Sequence, residues 1–337
     1  LDSDTLKSEI TIQNVAPKIK AVIPERGDEG TPISLSLVIY DEGMNDTHSI
    51  SWDLGDGNKD STMEFTHQYI DDGKYTINIS VEDDDGGKDS WKQEINIMNV
   101  NPVVELSIPD SAFEGDTLIF DANVTDLGLN DKFTYLWNFG NGKQDTLKNS
   151  SNIYTDNGNF TVYITVKDDD GGVSTSKRDI IIENVPPTLS ANIPIKQYEG
   201  SKVNIIAEVE NDPGTADSHT FMFNYGDGTI SKESSHIYQD NDEYEIEIIL
   251  SDDDGGSDTL KQNISIINLP PNILGELPAK SNEGQNLNFQ ITVEDPGNLD
   301  THTYFWDYGD GSYDSTLLAQ HIYQDNGEFE IDIEVKP

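Results

Sequence analysis

Trp52-Asp53-Leu54-Gly55-Asp56-Gly57 returns as Trp137-Asn138-Phe139-Gly140-Asn141-Gly142, as Phe223-Asn224-Tyr225-Gly226-Asp227-Gly228 and as Trp306-Asp307-Tyr308-Gly309-Asp310-Gly311. An aromatic residue followed by an Asp-Gly or Asn-Gly turn signal, repeated four times, makes the chain a tandem array. Other landmarks keep the same period. Glu-Gly stands at 29, 114, 199 and 283; Asn-Val or Asn-Leu starts at 14, 99, 184 and 268; Asp-Asp-Asp-Gly-Gly starts at 83, 168 and 252. Steps of 84 or 85 residues are too long for a solenoid unit of roughly 20 to 50 residues, so each repeat is a small domain with its own core.

Each repeat reads as all-β. Tyr75, Ile77, Ile79 and Val81 alternate with Thr76, Asn78, Ser80 and Glu82, and the same two-residue rhythm runs through 160–166, 244–250 and 329–335. Further strands are expected over 33–40, 49–54, 63–69 and 90–97, separated by Gly, Asp and Asn clusters. About seven short strands with a large aromatic on the third fit an immunoglobulin-like sandwich.

The combination of Trp52 to Gly57, His67 to Tyr69 and Gly73 to Asp84, present in all four repeats, resembles the PKD (polycystic kidney disease) domain family. The resemblance implies four tandem immunoglobulin-like β-sandwiches in an elongated rod. It also implies extracellular or surface modules acting as spacers, adhesion elements or accessory domains of secreted enzymes, without catalysis of their own. The second repeat departs with Asn138 and Asn141, and the third with Phe223 in place of tryptophan. The expected bounds are 16–100, 101–185, 186–269 and 270–337, the last lacking its final strand. Residues 1–15 match 255–269 and read as the final strand of a preceding or neighbouring repeat. Adjacent repeats of the same or neighbouring chains are therefore expected partners, with strand complementation as one route.

There are 64 acidic and 20 basic residues, a formal charge of −44. That density of negative charge and the lack of a basic patch argue against nucleic acid and anionic membranes. No apolar run is long enough to insert into a bilayer. The absence of cysteine fits a prokaryotic surface protein better than a disulfide-stapled animal one. Asn45, Asn78, Asn123, Asn149, Asn159 and Asn263 lie in Asn-x-Ser/Thr sequons.

Candidate chemistry gathers in loops. Asp-x-Gly-x-x-Asp recurs as Asp41/Asp46, Asp126/Asp131, Asp212/Asp217 and Asp295/Asp300. The topology brings this loop to one pole with the linker asparagines Asn14, Asn99, Asn184 and Asn268. Three acidic runs join them: Asp83, Asp84, Asp85; Asp168, Asp169, Asp170; and Asp252, Asp253, Asp254. Crowded carboxylates repel unless a cation intervenes, and Ca²⁺, with six to eight oxygen ligands in flexible loops, suits this set. Some members of the family that the chain resembles carry Ca²⁺ in that region. The competing reading makes them ordinary turn residues of an acidic chain. Glu29, Asp71 and Asp72 are expected at the opposite pole.

His48, His219 and His302 are equivalent, as are His67, His236 and His321. The second repeat has Phe133 and Asn152 instead, a joint loss that points to two rings in contact rather than to zinc. No catalytic motif is found: there is no Gly-x-Ser-x-Gly, no His-Glu-x-x-His and no cysteine nucleophile. Trp91 has no aromatic equivalent in other repeats, so no sugar-stacking platform recurs. The sequence thus points to a non-catalytic extracellular array, a stalk, filament or adhesin spacer stiffened by Ca²⁺. The alternative is an accessory carbohydrate- or protein-binding module of a secreted hydrolase.

Overall fold

A long antiparallel hairpin organises each of the first three repeats. In repeat one it joins Gly73–Asp83 to Lys88–Met98, paired from Gly73 opposite Ile97 through Glu82 opposite Lys88. The computed structural model describes residues 3–337; the first two residues of the 1–15 segment lie outside them. Among the described residues there are strands and turns and no helix.

The strands of repeat one are β1 (Lys18–Val22), β2 (Arg26–Asp28), β3 (Ile33–Tyr40), β4 (His48–Asp53), β5 (Lys59–Asp60), β6 (Glu64–His67), β7 (Gly73–Asp83) and β8 (Lys88–Met98). They form two sheets, ordered β1-β3-β6 and β2-β8-β7-β4-β5. Only the β2–β8 pairing is parallel. The core follows from the two-residue period: Leu35 and Leu37 of β3, Ile77, Ile79 and Val81 of β7 and Ile95 and Ile97 of β8 are buried. Trp52 fills the centre, edge-on to Phe65 of the facing sheet at 5.2 Å between ring centroids. Its indole N–H donates to Thr62 O at 3.0 Å, so the one polar atom of the largest core side chain is satisfied. Tyr69 is equally buried and donates its hydroxyl to Leu54 O.

These two bonds recur with the motif. Trp137 donates to Leu147 O and Trp306 to Thr316 O, each at 2.9 Å. Tyr154, Tyr238 and Tyr323 donate to Phe139 O, Tyr225 O and Tyr308 O. Phe223 occupies the tryptophan position with no N–H to place. Four separate apolar clusters result, one per repeat. The Asp-Gly turn depends on glycine: Gly55 and Gly57 have φ of 84° and 93°, a region that L side chains avoid.

By contact, the chain divides into two compact units. The first holds residues up to Ala112, Asp116–Tyr154 and Gly158–Ile182; the second holds Phe113–Gly115, Thr155–Asn157 and Glu183–Pro337. In the first unit, residues 3–17 form no strand, and Leu6, Ile10 and Ile12 stand exposed. In the second, the fourth repeat has a three-stranded sheet of Tyr313–Asp314, Thr303–Asp307 and Asp332–Lys336. Leu287, Tyr323, Phe329 and Ile331 line an open groove beside it.

Candidate metal centre

Within the first unit, the loop after β3 is folded by its own aspartates. Gly43 N–H donates to Asp41 Oδ1 at 3.0 Å, and Asp46 N–H donates to Gly43 O at 3.0 Å. Asp83, at the end of β7, closes the second loop: its Oδ1 accepts N–H from Asp85 at 3.0 Å and Gly87 at 2.8 Å, while Asn14 Nδ2 reaches both carboxylate oxygens at 3.1 Å. Ligand oxygens of Asp41, Asp46 and Asp83 then lie within 4.8 Å of one another. Burial would raise the Asp83 carboxyl, but hydrogen bonds from Asn14, Gly87 and Asp85 hold it below its ordinary value. His48 and the Gly43 N–H hold Asp41 low, whereas burial and then Asp41, Asp84, Asp85 and Asp83 push Asp46 up.

The same pole of the second repeat, also in the first unit, carries more. Asp126, Asp131 and Asp168 form an equivalent set, and Asn99 Nδ2 donates to Asp168 Oδ2 at 3.1 Å. Asp131 belongs also to a second set, with Glu29 and Asp71 of repeat one. Two packing details bring these chains together. Leu129 N–H donates to Ile70 O at 3.1 Å, and Gly30 sits so close to Leu127 that a Cβ there would lie 2.4 Å from Leu127 O. Glu29 is fully buried, with Oε1 accepting the Val100 N–H at 2.7 Å and Oε2 unpartnered. Burial and then neighbouring carboxylates, Glu29 first, push Asp131 up to about 7.

The second unit contains two further arrangements. Asp212 accepts Gly214 N–H at 3.0 Å, and Asp252 accepts Asn184 Nδ2 at 3.0 Å and Gly256 N–H at 2.7 Å. Glu114, Asp156 and Asp217 form a three-carboxylate set, with Asp217 raised to about 6 by burial and then by Glu114. Glu114 Oε1 accepts Val185 N–H at 2.7 Å, and Ala216 N–H donates to Thr155 O. In the fourth repeat Asp295 accepts Gly297 N–H at 2.9 Å, and burial and then Asp295 raise Asp300. Glu199 Oε1 accepts Leu269 N–H at 2.6 Å, and turning the Asn268 amide over sets its nitrogen 2.6 Å from Glu199 Oε1 and 3.2 Å from Asp300 Oδ2.

The middle aspartate of each acidic run serves the backbone. Asp84 accepts Thr47 N–H, Asp169 accepts Lys132 N–H and Asp253 accepts Ser218 N–H. Asp85, Asp170 and Asp254 are exposed, and Asp170 lies with Asp71 and Asp72. The glutamates are the residues that sequence reasoning put elsewhere. The sequence places Glu29 at the pole opposite the Asp-x-Gly-x-x-Asp loop of its own repeat; within the first unit that pole meets Asp131 of the second repeat's loop. The signal was present, since Glu-Gly recurs with the period of the whole chain.

The donor set is all oxygen, and five buried atoms around Asp131 have no partner: Glu29 Oε2, Asn99 Oδ1, Asp126 Oδ2 and both oxygens of Asp131. Glu114 Oε2, Asn184 Oδ1 and both Asp217 oxygens repeat the pattern in the second unit. Hard-cation chemistry fits such residues, and glycine keeps the space open: a Cβ on Gly297 would lie 2.8 Å from Glu199 Oε2 and 2.6 Å from Asp300 Oδ2.

The histidines are not in contact with each other, contrary to the expectation from their joint loss. His48 Nε2 bonds Asp41 Oδ2 at 2.8 Å at the start of β4, and His67 Nε2 bonds Asp56 Oδ2 at 2.7 Å beyond its end. Six strand residues, roughly 20 Å, separate the two sites. Each ring has its own aspartate in repeats three and four as well. In repeat two, Asn141 and Asn152 replace the second Asp–His pair together, while Phe133 leaves Asp126 Oδ2 without a partner.

The sequence pattern of the PKD domain matches residues 14–98, 99–182, 184–266 and 268–337. The chain belongs to the PKD domain family. These PKD repeats are similar to part of collagenase ColA of Bacillus cereus, 30% identical over 101 residues that make up 30% of this chain and 10% of that protein. Pre-pro-metalloprotease PrtV of Vibrio cholerae is 27% identical over 179 residues, 50% of this chain and 18% of the relative. The PKD1 domain of Vibrio anguillarum Epp is 29% identical, covering 26% of this chain and 98% of that one with a TM-score of 0.23. The chain spans less than a fifth of the length of the curated relatives it matches. No helix among the described residues is long and apolar enough to cross a membrane.

Proposed function

We propose that the PKD array is a non-catalytic extracellular spacer of a bacterial surface or secreted protein, its repeats stiffened against one another by Ca²⁺. The observation that carries this reading is the clustering of buried, unpartnered carboxylate and amide oxygens around Asp131 and Asp217. Carboxylates concentrated on loops favour a conformation that a divalent cation holds and that repulsion loosens without it. Nothing in the histidine chemistry competes: all six rings are engaged by aspartates through Nε2, with no serine or threonine hydroxyl on them among the bonds described.

Small-angle X-ray scattering of the whole chain tests the proposal. In millimolar Ca²⁺ the maximum dimension is expected on the order of 150 Å, from repeats of about 35–40 Å, with a narrower distance distribution than in chelator. A compact particle in Ca²⁺ would defeat the spacer reading.

The relatives favour a second reading, an accessory module of a secreted hydrolase, because the matches are to short parts of a collagenase and a metalloprotease. It predicts retention of the purified chain on insoluble collagen or polysaccharide. Passage through both matrices in Ca²⁺ leaves the spacer alone.

A further inference from the structure

We propose that the buried glutamate of the Glu-Gly turn, as Glu29, Glu114 and Glu199, is a bridging Ca²⁺ ligand, completing a cation site with the Asp-x-Gly-x-x-Asp loop that packs against it. The inference rests on the calcium part of the spacer reading and names residues outside the loops that the sequence singles out.

Each glutamate divides its two oxygens. Oε1 is fixed by the N–H that follows the linker asparagine, Val100, Val185 or Leu269, at 2.7, 2.7 and 2.6 Å. Oε2 is buried and unpartnered in all three, although the side chains are at most 1% exposed. A charged oxygen with that degree of burial needs compensation. Its surroundings supply none from protein: a Cβ on Gly297 would touch Glu199 Oε2 and Asp300, and one on Gly214 would touch Glu114 and Asp217. What faces the glutamate across the loop is another carboxylate.

A proton between two carboxylates satisfies at most two oxygens, whereas five near Asp131 and four near Asp217 lack partners. A cation that accepts six to eight oxygens satisfies them together. Magnesium demands near-ideal octahedral geometry and holds its waters, so a site of flexible Asp, Glu and Asn side chains selects the larger ion. Asp131 lies in two oxygen sets at once, one with Asp126 and Asp168 and one with Glu29 and Asp71, which makes a ligand cluster continuous across two repeats. The Asp41, Asp46 and Asp83 set contains no glutamate. This chain therefore holds two classes of site: three bridged by glutamate, and one confined to a single repeat and weaker.

Isothermal titration of the metal-free 337-residue chain with CaCl₂ tests this. Three strong sites are expected, with a fourth at least tenfold weaker. Glu29→Gln and Glu199→Gln keep the Oε1 acceptor and the side-chain volume while removing the charge. Each is expected to take one site out of the strong class, with an affinity loss of at least tenfold, and to leave the others unchanged. A strong-site count unaffected by the Gln variants overturns the inference while leaving spacer extension, measured by scattering, intact. No Ca²⁺ binding by the wild-type chain overturns the inference together with the calcium part of the spacer reading. If a variant fails to fold in chelator, carboxyl-¹³C glutamate in the wild-type chain reads the same point. CaCl₂ should shift three buried glutamate resonances, and their invariance rejects the glutamates as ligands.

Discussion

Glu29 and Asp131 belong to consecutive repeats, yet their carboxylate oxygens come within 4.8 Å of each other, together with Asp71. Neither Glu29 Oε2 nor either Asp131 oxygen has a hydrogen-bond donor. Two like charges so placed repel across the metal-free junction, and a cation bound there, as proposed above, would convert the same geometry into a clamp.

Asp131→Asn should therefore act in opposite directions with and without metal. In chelator at pH 8 the substitution removes one charge and raises the stability of the region by roughly 1–2 kcal/mol, after allowance for solvent screening of a half-buried group. In millimolar Ca²⁺ it lowers stability relative to wild type, because a ligand is lost. Hydrogen exchange of amides near Val100 and Leu129 reads both signs, and the same sign in both conditions would count against the clamp.

The pH dependence in chelator follows from the raised Asp131 carboxyl, about 7 in the folded chain against about 3.9 when unfolded. A group whose folded value is raised stabilises fully below its unfolded value and loses that contribution as pH rises through the folded one. The stability advantage of Asp131→Asn over wild type should grow between about pH 4 and pH 7 and level off above. Saturating Ca²⁺ should remove the trend. Melting curves of both proteins across that range, with and without metal, give the measurement.

Gly297→Ala places a methyl 2.6 Å from Asp300 Oδ2 and 2.8 Å from Glu199 Oε2. The fold should tolerate it, since the contact is with side-chain termini. Ca²⁺ affinity at that one site should fall about tenfold or more, a loss near 1.4 kcal/mol. Calorimetric titration of the variant distinguishes this from a general loss of structure.

The Asp56–His67 pair, 2.7 Å apart, should show coupling that repeat two has dispensed with through Asn141 and Asn152. His67→Asn alone leaves Asp56 short of a partner at a cost of about 1 kcal/mol. Asp56→Asn with His67→Asn should recover part of that, with an interaction energy of about 0.5 kcal/mol or more. Strict additivity in the double-mutant cycle would show that the pair is incidental.

The fold was legible because its causes are local. Alternation in 75–81 fixes which side of β7 is buried, and Asp-Gly at 56–57 fixes the hairpin, so the period could be read without any long-range information. The site was half legible. Asp41, Asp46 and Asp83 meet within one domain whose topology predicts the meeting. Glu29 meets Asp131 only because consecutive domains stack, a contact between residues 102 positions apart that strand periodicity does not encode. The histidines failed for a different reason. Their joint loss in repeat two was visible, but the aspartate belonging to each ring lies in a turn or loop, and the accompanying change to Asn141 was the clue that tied His67 to Asp56.

Trp52, Trp137 and Trp306 share one environment, fully buried and with the indole N–H bound to a backbone carbonyl, and the third repeat has Phe223 instead. Three of the four repeats thus carry their own indole fluorophore, and the third has only tyrosines. Trp91, partly exposed on the outside of β8, gives the first repeat a second and solvent-sensitive emitter. Replacing Trp91 and any two of the buried indoles with phenylalanine, which repeat three already accommodates at the buried position as Phe223, would leave a single indole, excited apart from the tyrosines, in a chosen domain. The order in which the repeats lose structure on heating or on metal removal could then be watched one at a time, without an attached label.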